Sequence, residues 1–542
     1  MNNKTKLIEI GYLMERLLAN RGAGSRQDAL NRVAAAGGDW DLVVIGGGAT
    51  GLGIALDAVS RGYKTLLLEQ ADFAKGTSSR STKLVHGGVR YLAQGDVRLV
   101  REASIERGIL HCNAPHLVKD QTFIVPVYSV PDVLKYTIGL KLYDWIAGKL
   151  GLGPSVFISR KKVLEKLPGI KTEGLRGGVL YHDGQFDDAR LAINLMQSIW
   201  ENGGYALNYM KVTGLLKDNH HHISGVTASD TGSGRAYRFR AKAVVNATGV
   251  FVDDILQMDK PGSAKSICVS QGVHVVLDRK FYPSEHALMI PQTSDGRVLF
   301  AVPWHNRLVV GTTDTPVEKA SLEPQALEKE INFILETAGA YFTHPPQRSD
   351  ILSVFAGQRP LAAPQKTNQK TKEISRSHKI VVTGSQLFTI LGGKWTTYRK
   401  MGEDMVTRIE KELHWPHKKN TTAHLHIHGY ACDTDWNDPL YFYGSDAAAI
   451  RDRMNGDPQG WLSEKLKIHK AQVIWAVEKE MARTVEDVLA RRTRALLLDA
   501  VECRRMAPQV AAIMAEVLGR DEAWKKEQLA AFEALAGQYM AR

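Results

Sequence analysis

Residues 40–51 read WDLVVIGGGATG, an apolar run followed directly by a glycine-rich turn. A short Val/Ile-rich run bounded by glycines is typical of a strand that is buried on both faces of a parallel sheet. Gly46, Gly48 and Gly51 have the GxGxxG spacing, and a helical pattern over residues 51–61 follows. Such a turn lets the backbone approach a pyrophosphate at the N-terminus of a helix. The segment therefore predicts a dinucleotide-binding βαβ unit.

The second strand of this unit is predicted at residues 64–69 and ends in Glu69, which stands 18 positions after Gly51. An acidic residue near this distance is suited to a hydrogen bond with a ribose diol. Strand, glycines, helix, strand and acid occur in the order of the fingerprint, which weighs against a glycine turn without a nucleotide. NAD and FAD remain alternatives at this point, because both present an adenosine diphosphate to such a turn.

Two further segments favour FAD over NAD. Residues 246–249 follow a buried run, and small residues at a strand end permit a second close approach of the backbone to the dinucleotide. Three hydroxyl residues at 77–79 can donate to phosphate or ring oxygens of an extended flavin. The candidate residues of the two segments are Thr77, Ser78, Ser79, Ala247, Thr248 and Gly249.

A chain of 542 residues is too long for one ordinary core and predicts several domains. We predict an α/β protein with a Rossmann-like FAD-binding domain, an antiparallel-sheet substrate domain and a helical C-terminal domain. Alternating segments at 212–245 predict antiparallel hairpins, and periodicity at 472–490 and 507–518 predicts helices. The predicted boundaries are a helical N-terminal extension over 1–39, the FAD-binding domain over 40–402 interleaved with the substrate part at about 265–350, and the C-terminal domain over 403–542.

Composition narrows the class of protein and its partners. Hydrophobic residues make up 44% and charged residues 24%, the balance of a globular protein. The net charge of +12 attracts anions. The sequence has no compact arginine-rich run, so nucleic acid is not a predicted partner. The four cysteines are far apart, which predicts neither disulfides nor a zinc site and fits a reducing cytoplasm. The N-terminal region lacks a long apolar run, so we expect any membrane contact to be peripheral.

Several dispersed motifs occur in the order of one known family. STKLVHGGVRYL at 81–92 resembles the signature of the FAD-dependent glycerol-3-phosphate dehydrogenases, and the later blocks keep the order of that family. These blocks are YHDG at 181–184, DDARL at 187–191, GTTD at 311–314, RPL at 359–361 and GGKWTTYR at 392–399. The resemblance covers about residue 41 to the C-terminus. It implies FAD as cofactor, with His86, Gly87, Gly393, Lys394 and Thr396 beside it, and a respiratory enzyme that oxidises glycerol 3-phosphate.

A phosphate dianion in a cleft needs at least two cations, preferably forked arginines. Arg90, Arg359 and Lys394 lie in three of the resembling blocks and are the candidate phosphate ligands, although a typical Arg or Lys serves a surface ion pair. Arg376 is a further candidate. Tyr91 is a candidate for a substrate hydroxyl, with packing as the alternative role.

Oxidation of the alcohol also needs a base for the hydroxyl proton. Histidine has a suitable pKa, and the resemblance brings His86 and His274 near the flavin. Either is a candidate base, and a satisfied structural histidine is the alternative for each. The run His220, His221 and His222 falls in a predicted turn without a cysteine partner, so no metal site is predicted.

The acceptor of the electrons is indicated only by the family resemblance. The resemblance implies a membrane quinone and a cytoplasmic enzyme bound peripherally to an anionic membrane on its inner face; a homodimer is compatible with the sequence. Residues 134–150 interleave apolar residues with lysines and include Trp145, as an interfacial helix would, but an ordinary helix facing the core fits the periodicity equally well.

Three other kinds of flavoprotein are alternatives to the dehydrogenase. A glycerol-3-phosphate oxidase that reduces oxygen to hydrogen peroxide shares the motifs, and we see no obvious insertion of the kind that we associate with that branch. An amino-acid oxidase would not need the three cations, and a non-catalytic flavoprotein could have lost them. Gln358 departs from the apolar residue that the family more often has before its Arg-Pro-Leu block, which bears on the shape of the phosphate site.

Overall fold

The computed structural model describes residues 24–88, 96–148, 151–291, 293–294, 296–363 and 377–541. Its first layer is an eight-stranded sheet in which four neighbouring strand pairs are parallel. In spatial order its main strands are Lys379–Val382, Leu387–Leu391, Ala236–Asn246, Trp40–Ile45, Thr65–Leu68 and Tyr205–Leu207. The predicted parallel βαβ unit at the start of the chain is confirmed.

The central strand Trp40–Ile45 is buried almost throughout, as its Val/Ile-rich run predicts. The helix Ala49–Ser60 follows and is itself covered by the helix Tyr398–Glu412. A Cβ added at Gly53 would lie 2.6 Å from the carbonyl oxygen of Tyr398, so the two helices meet backbone to backbone. This contact brings residues from opposite ends of the predicted FAD-binding domain together.

The strands Met210–Lys217 and Ile223–Asp230 form an antiparallel hairpin, and the second pairs with the first half of Ala236–Asn246. The far half of Ala236–Asn246 then runs parallel to Trp40–Ile45. The predicted hairpins are therefore confirmed, and they deliver Asn246 to the edge of the sheet where the glycine turn lies.

The second layer is a ten-stranded sheet whose neighbours are antiparallel except for one pair. In spatial order its path is Thr315–Val317, Ile267–Asp278, Arg307–Gly311, Leu299–Trp304, Ala287–Ile290, Val118–Val127, Gly177–Phe186 and Leu84–Val85. Ile351–Ala362 pairs with Ile267–Asp278, and Val156–Ser159 pairs with Gly177–Phe186. Four of the ten strands come from residues 84–186, so the sheet extends well outside 265–350.

The fold class predicted from the sequence is confirmed by these two sheets and by the helices near the C-terminus. The domain boundaries stay a proposal. Helices that cover the sheets are Val97–Asn113, Val130–Ala147, Arg160–Lys166, Asp188–Glu201, Val252–Asp259 and Glu328–Tyr341. Helices that follow Glu412 are Ala447–Asn455, Lys470–Lys479, Ala495–Leu498, Ala500–Leu518 and Glu522–Gly537, with a π-helical turn at Asp487–Arg492 and a two-stranded sheet of Trp461–Ser463 and Ile468–His469.

The continuous helix predicted at 472–490 is wrong, because the helix ends at Lys479. The next residue, Glu480, is buried and accepts a hydrogen bond of 2.6 Å from the guanidinium of Arg190. Met481 then has a φ of +56°, which no helix accommodates. A tertiary ion pair thus overrides the local periodicity.

The C-terminal helices are attached to the first sheet's side of the molecule by buried ion pairs at Asp72. Arg491 and Arg492 both bind the carboxylate of Asp72, and Nε of Arg491 lies 2.5 Å from Oδ2. Burial alone would raise the pKa of Asp72, but the two guanidinium groups outweigh it and hold this pKa below its usual value. The carboxylate is therefore charged, and its neutralisation depends on residues more than 400 positions away.

Of the predicted N-terminal helical extension, residues before Gly24 lie outside the described ranges. The helix Arg26–Ala36 begins after Ser25, whose hydroxyl accepts from the amide of Asp28. It ends at Gly37, which has a φ of +47°. Across the described ranges, no helix combines the length and apolarity needed to cross a bilayer.

Candidate active site

A cleft of about 430 Å³ opens where the parallel strands of the first sheet end. We call it the first chamber; the predicted residues Gly46, Gly48, Glu69 and Thr248 are among those that line it. Gly46 has a φ of +113°, and a Cβ there would lie 2.5 Å from the carbonyl oxygen of Ala247. The glycine turn and the second small-residue turn therefore touch through their backbones, which only glycine allows.

The first helix points its N-terminus into this chamber. Gly51 does not line the chamber; a Cβ there would lie 1.9 Å from the carbonyl oxygen of Gly46, so this glycine closes the turn. Ser78 stands at the same place, with its hydroxyl accepting a 2.9 Å hydrogen bond from the amide of Ala49. The positive end of a helix dipole with a hydroxyl beside it forms a site suited to phosphate.

Glu69 lines the chamber and at the same time holds the turn. Its carboxylate accepts from the amides of Gly47 at 2.6 Å and of Ala71 at 2.9 Å. Burial raises the pKa of Glu69, and the two amide donors partly oppose that rise. The carboxylate thus lines the chamber where a ribose contact is predicted, and it has a second task that the sequence did not reveal.

The second turn is fixed by the side chain of Asn246. Its amide nitrogen donates to the carbonyl oxygen of Val252 at 2.9 Å, and its amide oxygen accepts from the hydroxyl of Thr248 at 2.7 Å. Gly249 has a φ of +60°. Ala247, Thr248 and Gly249 consequently turn away from the strand end and line the first chamber.

A second chamber of about 210 Å³ adjoins the first and shares Thr77, Gly392, Gly393 and Lys394 with it. Gly393 has a φ of +94°, and a Cβ there would lie 2.3 Å from the terminal carbon of Met401. A side chain at this position would collide with Met401, so Gly393 lines the chamber with its backbone alone. The predicted residues His86 and Thr396 also line it, and the Thr396 hydroxyl lies 3.3 Å from the amide nitrogen of His86.

Two predicted cofactor residues lie behind the lining. Ser79 has a buried side chain, and its carbonyl oxygen accepts from Nζ of Lys83 at 2.7 Å. Gly87 lies against Tyr143, whose hydroxyl would be 2.3 Å from a Cβ at this position. Neither residue is among those that line the first two chambers, so both shape the site from behind.

His274 lies on the strand Ile267–Asp278 and lines the second chamber. Its Nε2 is 2.9 Å from the hydroxyl of Thr82, and its ring stacks on Phe355 with a centroid distance of 4.8 Å. Burial first, and then the charges of Arg359 and Lys83, hold the pKa of His274 well below its usual value. The ring is therefore neutral near pH 7, and the same causes make it a weaker base than a free histidine.

Arg359 lies on the neighbouring strand Ile351–Ala362 opposite Ser270, and it lines the second chamber together with His274. Its guanidinium donates to the hydroxyl of Thr312 at 3.1 Å and to the carbonyl oxygen of Thr313 at 3.2 Å, and lies 3.4 Å from Asp314. A Cβ at Gly272 would lie 2.3 Å from this guanidinium, so the glycine makes room for it. The GTTD and RPL blocks therefore meet at one cation.

A third chamber of about 170 Å³ continues from the second and shares Thr82, Leu84, His86 and Arg359 with it. One side is polar and carries Asp183, Thr312 and Asp314. The other side is apolar and carries Phe123, Tyr181, Met289, Val298 and Phe300. His86 and Arg359 thus stand at the junction of the two chambers.

The structure brings together His86, His274, Arg359 and Lys394 along this cleft. Arg90, Tyr91 and Arg376 lie outside the described residues. Gln358, the departure from the family pattern, is buried and accepts from the amide of Ser321 at 2.8 Å. The carbonyl oxygen of Gln358 accepts from the hydroxyl of Thr77, so this residue connects the two sheets.

Sequence reasoning missed a buried ion pair behind the site. Nζ of Lys83 lies 2.8 and 2.9 Å from the two carboxylate oxygens of Asp188. The hydroxyl of Ser81 donates to the same carboxylate at 2.7 Å. The residues next to Lys83 and Asp188 carry no local signal of the pairing, and only the general rule that a buried lysine needs a partner applies. The pair fixes the loop that carries Thr82.

The three histidines at 220–222 lie in an exposed turn, where the amides of His220 and His222 donate to Asp218. In the part of the chain that the structure describes, no group of three His, Cys, Asp or Glu side chains is arranged to hold a metal ion.

Two protein families match the chain. The family described as FAD dependent oxidoreductase matches residues 41–399. The family described as C-terminal domain of alpha-glycerophosphate oxidase matches residues 378–525. The two matches overlap in the GGKWTTYR block, and together they account for most of the chain.

Several similar proteins are described as glycerol-3-phosphate dehydrogenases. A probable mitochondrial glycerol-3-phosphate dehydrogenase of Caenorhabditis elegans is 37% identical over 539 residues, covering 93% of this chain and 74% of the relative. The mitochondrial glycerol-3-phosphate dehydrogenase of Homo sapiens is 36% identical over 530 residues, covering 91% and 72%. The crystal structure of the glycerol-3-phosphate dehydrogenase of Bacillus halodurans, complexed with FAD, is 30% identical with a TM-score of 0.78, covering 96% of this chain and 98% of that one.

Proposed function

The chain belongs to the FAD-dependent glycerol-3-phosphate dehydrogenases, and we propose on this basis that it oxidises sn-glycerol 3-phosphate to dihydroxyacetone phosphate and passes the electrons to a membrane quinone. The observation that carries the proposal is the meeting of Arg359, His274 and His86 at one end of a cleft whose other end is the glycine turn. A phosphate ligand and a proton acceptor are the two groups that this substrate needs.

The residues of the cleft fit FAD. The first and second chambers adjoin and give room for an extended dinucleotide; Gly46 and Glu69 would hold its adenosine diphosphate and Gly393 would lie beside its flavin ring. Side chains at Gly46 or Gly51 would collide with neighbouring backbone, so the bare turn is suited to a pyrophosphate. Bound FAD supplies the acceptor for the hydride that leaves C2 of the substrate.

The chain's own residues bind and orient the substrate. Arg359 and Lys394 are the proposed phosphate ligands, joined by Arg90 and Arg376 from outside the described ranges, with Tyr91 proposed for a substrate hydroxyl. A forked guanidinium in a largely buried site binds phosphate through charge-assisted hydrogen bonds. Holding the phosphate fixes the position of the reacting carbon relative to the second chamber.

The hydroxyl proton of the substrate is received by a histidine nitrogen. The orientation of His274 by the hydroxyl of Thr82 and its position in the lining of the second chamber support His274 in this role, while its lowered pKa makes it a weaker base than a free histidine. His86 is the alternative because it lines both the second and the third chamber.

For the electron acceptor we propose a membrane quinone, which the enzyme reaches by peripheral attachment at the cytoplasmic face of an anionic membrane. A homodimer is compatible with this arrangement. Oxygen is the second candidate acceptor, because the C-terminal part matches a domain described from a glycerophosphate oxidase. The relatives that match more than nine tenths of this chain are dehydrogenases by name, which favours the quinone over oxygen.

Anaerobic addition of glycerol 3-phosphate to the purified flavoprotein tests the substrate. Bleaching of the visible flavin absorbance is expected, and its absence would contradict the assignment. Admission of a soluble quinone analogue or of air then tests the acceptor. Rapid recovery of absorbance with quinone alone supports the dehydrogenase, whereas rapid recovery in air with formation of peroxide would replace it by the oxidase.

A further inference from the structure

The helix Val130–Ala147 is apolar on two different faces. Its inner face packs on the second sheet through the buried Leu140 and Tyr143 and the partly buried Val133 and Tyr136. Its outer face exposes a stripe with helical spacing. The exposed fractions are 63% for Val130, 65% for Leu134, 58% for Ile138, 44% for Leu142 and 79% for Trp145. The packing of this helix is therefore satisfied without the outer stripe.

The neighbouring strand Val156–Ser159 extends this surface with Val156 and Phe157, each more than 40% exposed. Of the twelve large apolar residues that are exposed in the described ranges, seven lie between 130 and 157. We call these seven residues the outer patch. Scattered exposed apolar residues are normal, but a cluster of this kind marks an interaction surface.

Basic side chains surround the outer patch. Lys135 and Lys141 on the helix and Lys161 and Lys162 just after the strand are exposed. The nearby acids are engaged locally, since Asp144 accepts from the hydroxyl of Ser155 at 2.9 Å and Asp132 from that of Ser129 at 2.6 Å. The surface thus combines an apolar stripe, an exposed tryptophan and lysines at its border.

We propose that the outer patch docks into the interface of an anionic lipid bilayer, with its apolar side chains at the acyl boundary and its lysines at the headgroups. This combination of side chains is the one that lies stably in such an interface. A second copy of this chain fits less well, because protein interfaces are depleted in lysine and a symmetric contact would bring like charges together. The inference rests on the proposed function insofar as it gives the membrane attachment a location.

The opposite face of the same helix reaches the active site. The hydroxyl of Tyr143 donates to Asp183 at 2.9 Å, and Asp183 lines the third chamber. The apolar wall of that chamber, including Phe123 and Tyr181, belongs to the cluster on which the helix packs. Docking through the outer patch would therefore hold the apolar end of the chamber close to the lipid, where a lipid-soluble acceptor is concentrated.

Flotation of the holoenzyme with phosphatidylcholine vesicles, with and without phosphatidylglycerol, tests the location. The double variant Ile138→Glu/Trp145→Glu should bind phosphatidylglycerol vesicles at least about tenfold more weakly, because two apolar anchors become anions. Val501→Glu is the matched control, since Val501 is 60% exposed on a different helix. Its binding should be unchanged, and equal binding of the double variant and the wild type would overturn the proposal.

A second variant guards against misfolding of the first. Lys135→Glu/Lys141→Glu should weaken binding to vesicles that contain phosphatidylglycerol and leave the weaker binding to phosphatidylcholine alone nearly unchanged. If this variant binds both kinds of vesicle as the wild type does, the lipid assignment is wrong. Sedimentation of all variants gives the other decisive outcome. A wild-type dimer that the double variant converts to monomers, with vesicle binding retained, would assign the patch to self-association instead.

The proposed function has a separate readout in the same samples. Flavin bleaching by glycerol 3-phosphate should be the same in all these variants, because none of the changed residues lines the chambers. Absence of bleaching in the wild type would contradict the substrate and leave the vesicle result to stand alone. Normal bleaching without any vesicle binding would contradict only the docking surface.

Discussion

Nε2 of His274 lies 2.9 Å from the hydroxyl oxygen of Thr82, so a loop from the first sheet orients a histidine on the second. The two residues are 192 positions apart, and both line the second chamber. The hydrogen bond fixes the plane of the ring, and stacking on Phe355 fixes its other side. Residues from both sheets therefore form the second chamber.

The first prediction concerns the base. His274→Gln should lower kcat by about 10²- to 10⁴-fold, the usual contribution of a general base, while FAD content stays normal. Stopped-flow reduction of the flavin by glycerol 3-phosphate measures the step directly. His220→Gln is the control because His220 is exposed in a remote turn. A slow His86→Gln variant beside a fast His274→Gln variant would transfer the role to His86.

The second prediction concerns the phosphate. Arg359→Ala should raise KM for glycerol 3-phosphate by about 10- to 100-fold, as expected when one charge-assisted ligand of a few kcal/mol is lost. Flavin absorbance of the purified variant should remain near that of the wild type. Arg238→Ala, at an exposed position, should leave KM unchanged. An unaltered KM in Arg359→Ala would remove this residue from the site.

The third prediction concerns the glycine turn. Gly51→Ala places a Cβ 1.9 Å from the carbonyl oxygen of Gly46, so the turn must open and the protein should be purified without FAD. Absorbance near 450 nm relative to 280 nm measures this loss. Gly139→Ala is the comparison because nothing lies within 4 Å of its Cβ, and alanine favours a helix by up to about 1 kcal/mol. Full FAD content in Gly51→Ala would show that the backbone contact is not required.

The fourth prediction concerns the buried pair of Lys83 and Asp188. Lys83→Met leaves the carboxylate of Asp188 without its cation, and breaking such a pair costs about 3–5 kcal/mol of unfolding free energy. Urea denaturation monitored by tryptophan fluorescence measures the change. Lys467→Met, which breaks an exposed pair with Glu464, should cost less than about 1 kcal/mol. Equal costs for the two variants would argue against the burial of the first pair.

The fifth prediction concerns pH. Burial would lower the pKa of His428, but hydrogen bonds to Asp446 and Glu201 outweigh it and raise this pKa to about 9. Because the folded value lies above the unfolded one of about 6.5, the stabilisation is fully present below pH 6.5 and is lost as pH rises to about 9. The unfolding free energy should therefore fall over this range. His428→Gln should flatten the dependence, and an unchanged slope in that variant would contradict the assignment.

The sequence was sufficient for the features that depend on local pattern. The buried strand Trp40–Ile45 and the glycine turn follow from a Val/Ile run and a fixed spacing. The hairpins of residues 210–246 follow from alternation and turn residues. Such features need no knowledge of distant residues, and they defined the first chamber.

Features that depend on distant partners could not be predicted. The pairing of Lys83 with Asp188 spans 105 positions, and neither residue's neighbours indicate it. The end of a helix at Lys479 depends on a buried contact between Glu480 and Arg190. For the helix Val130–Ala147, periodicity gave an apolar stripe but could not tell which stripe packs on the sheet, because the helix has two.

The contact of Asp72 with Arg491 and Arg492 has a consequence for how the protein is made. Asp72 lies three residues after Glu69, beside the first chamber, and its charge is neutralised by residues near the end of the chain. A ribosome synthesises the glycine turn early, but the arginines emerge only after more than 400 further residues. We therefore expect the cofactor to be captured stably only after Arg491 and Arg492 have been synthesised, so that flavin content should report whether the C-terminal helices are present and folded.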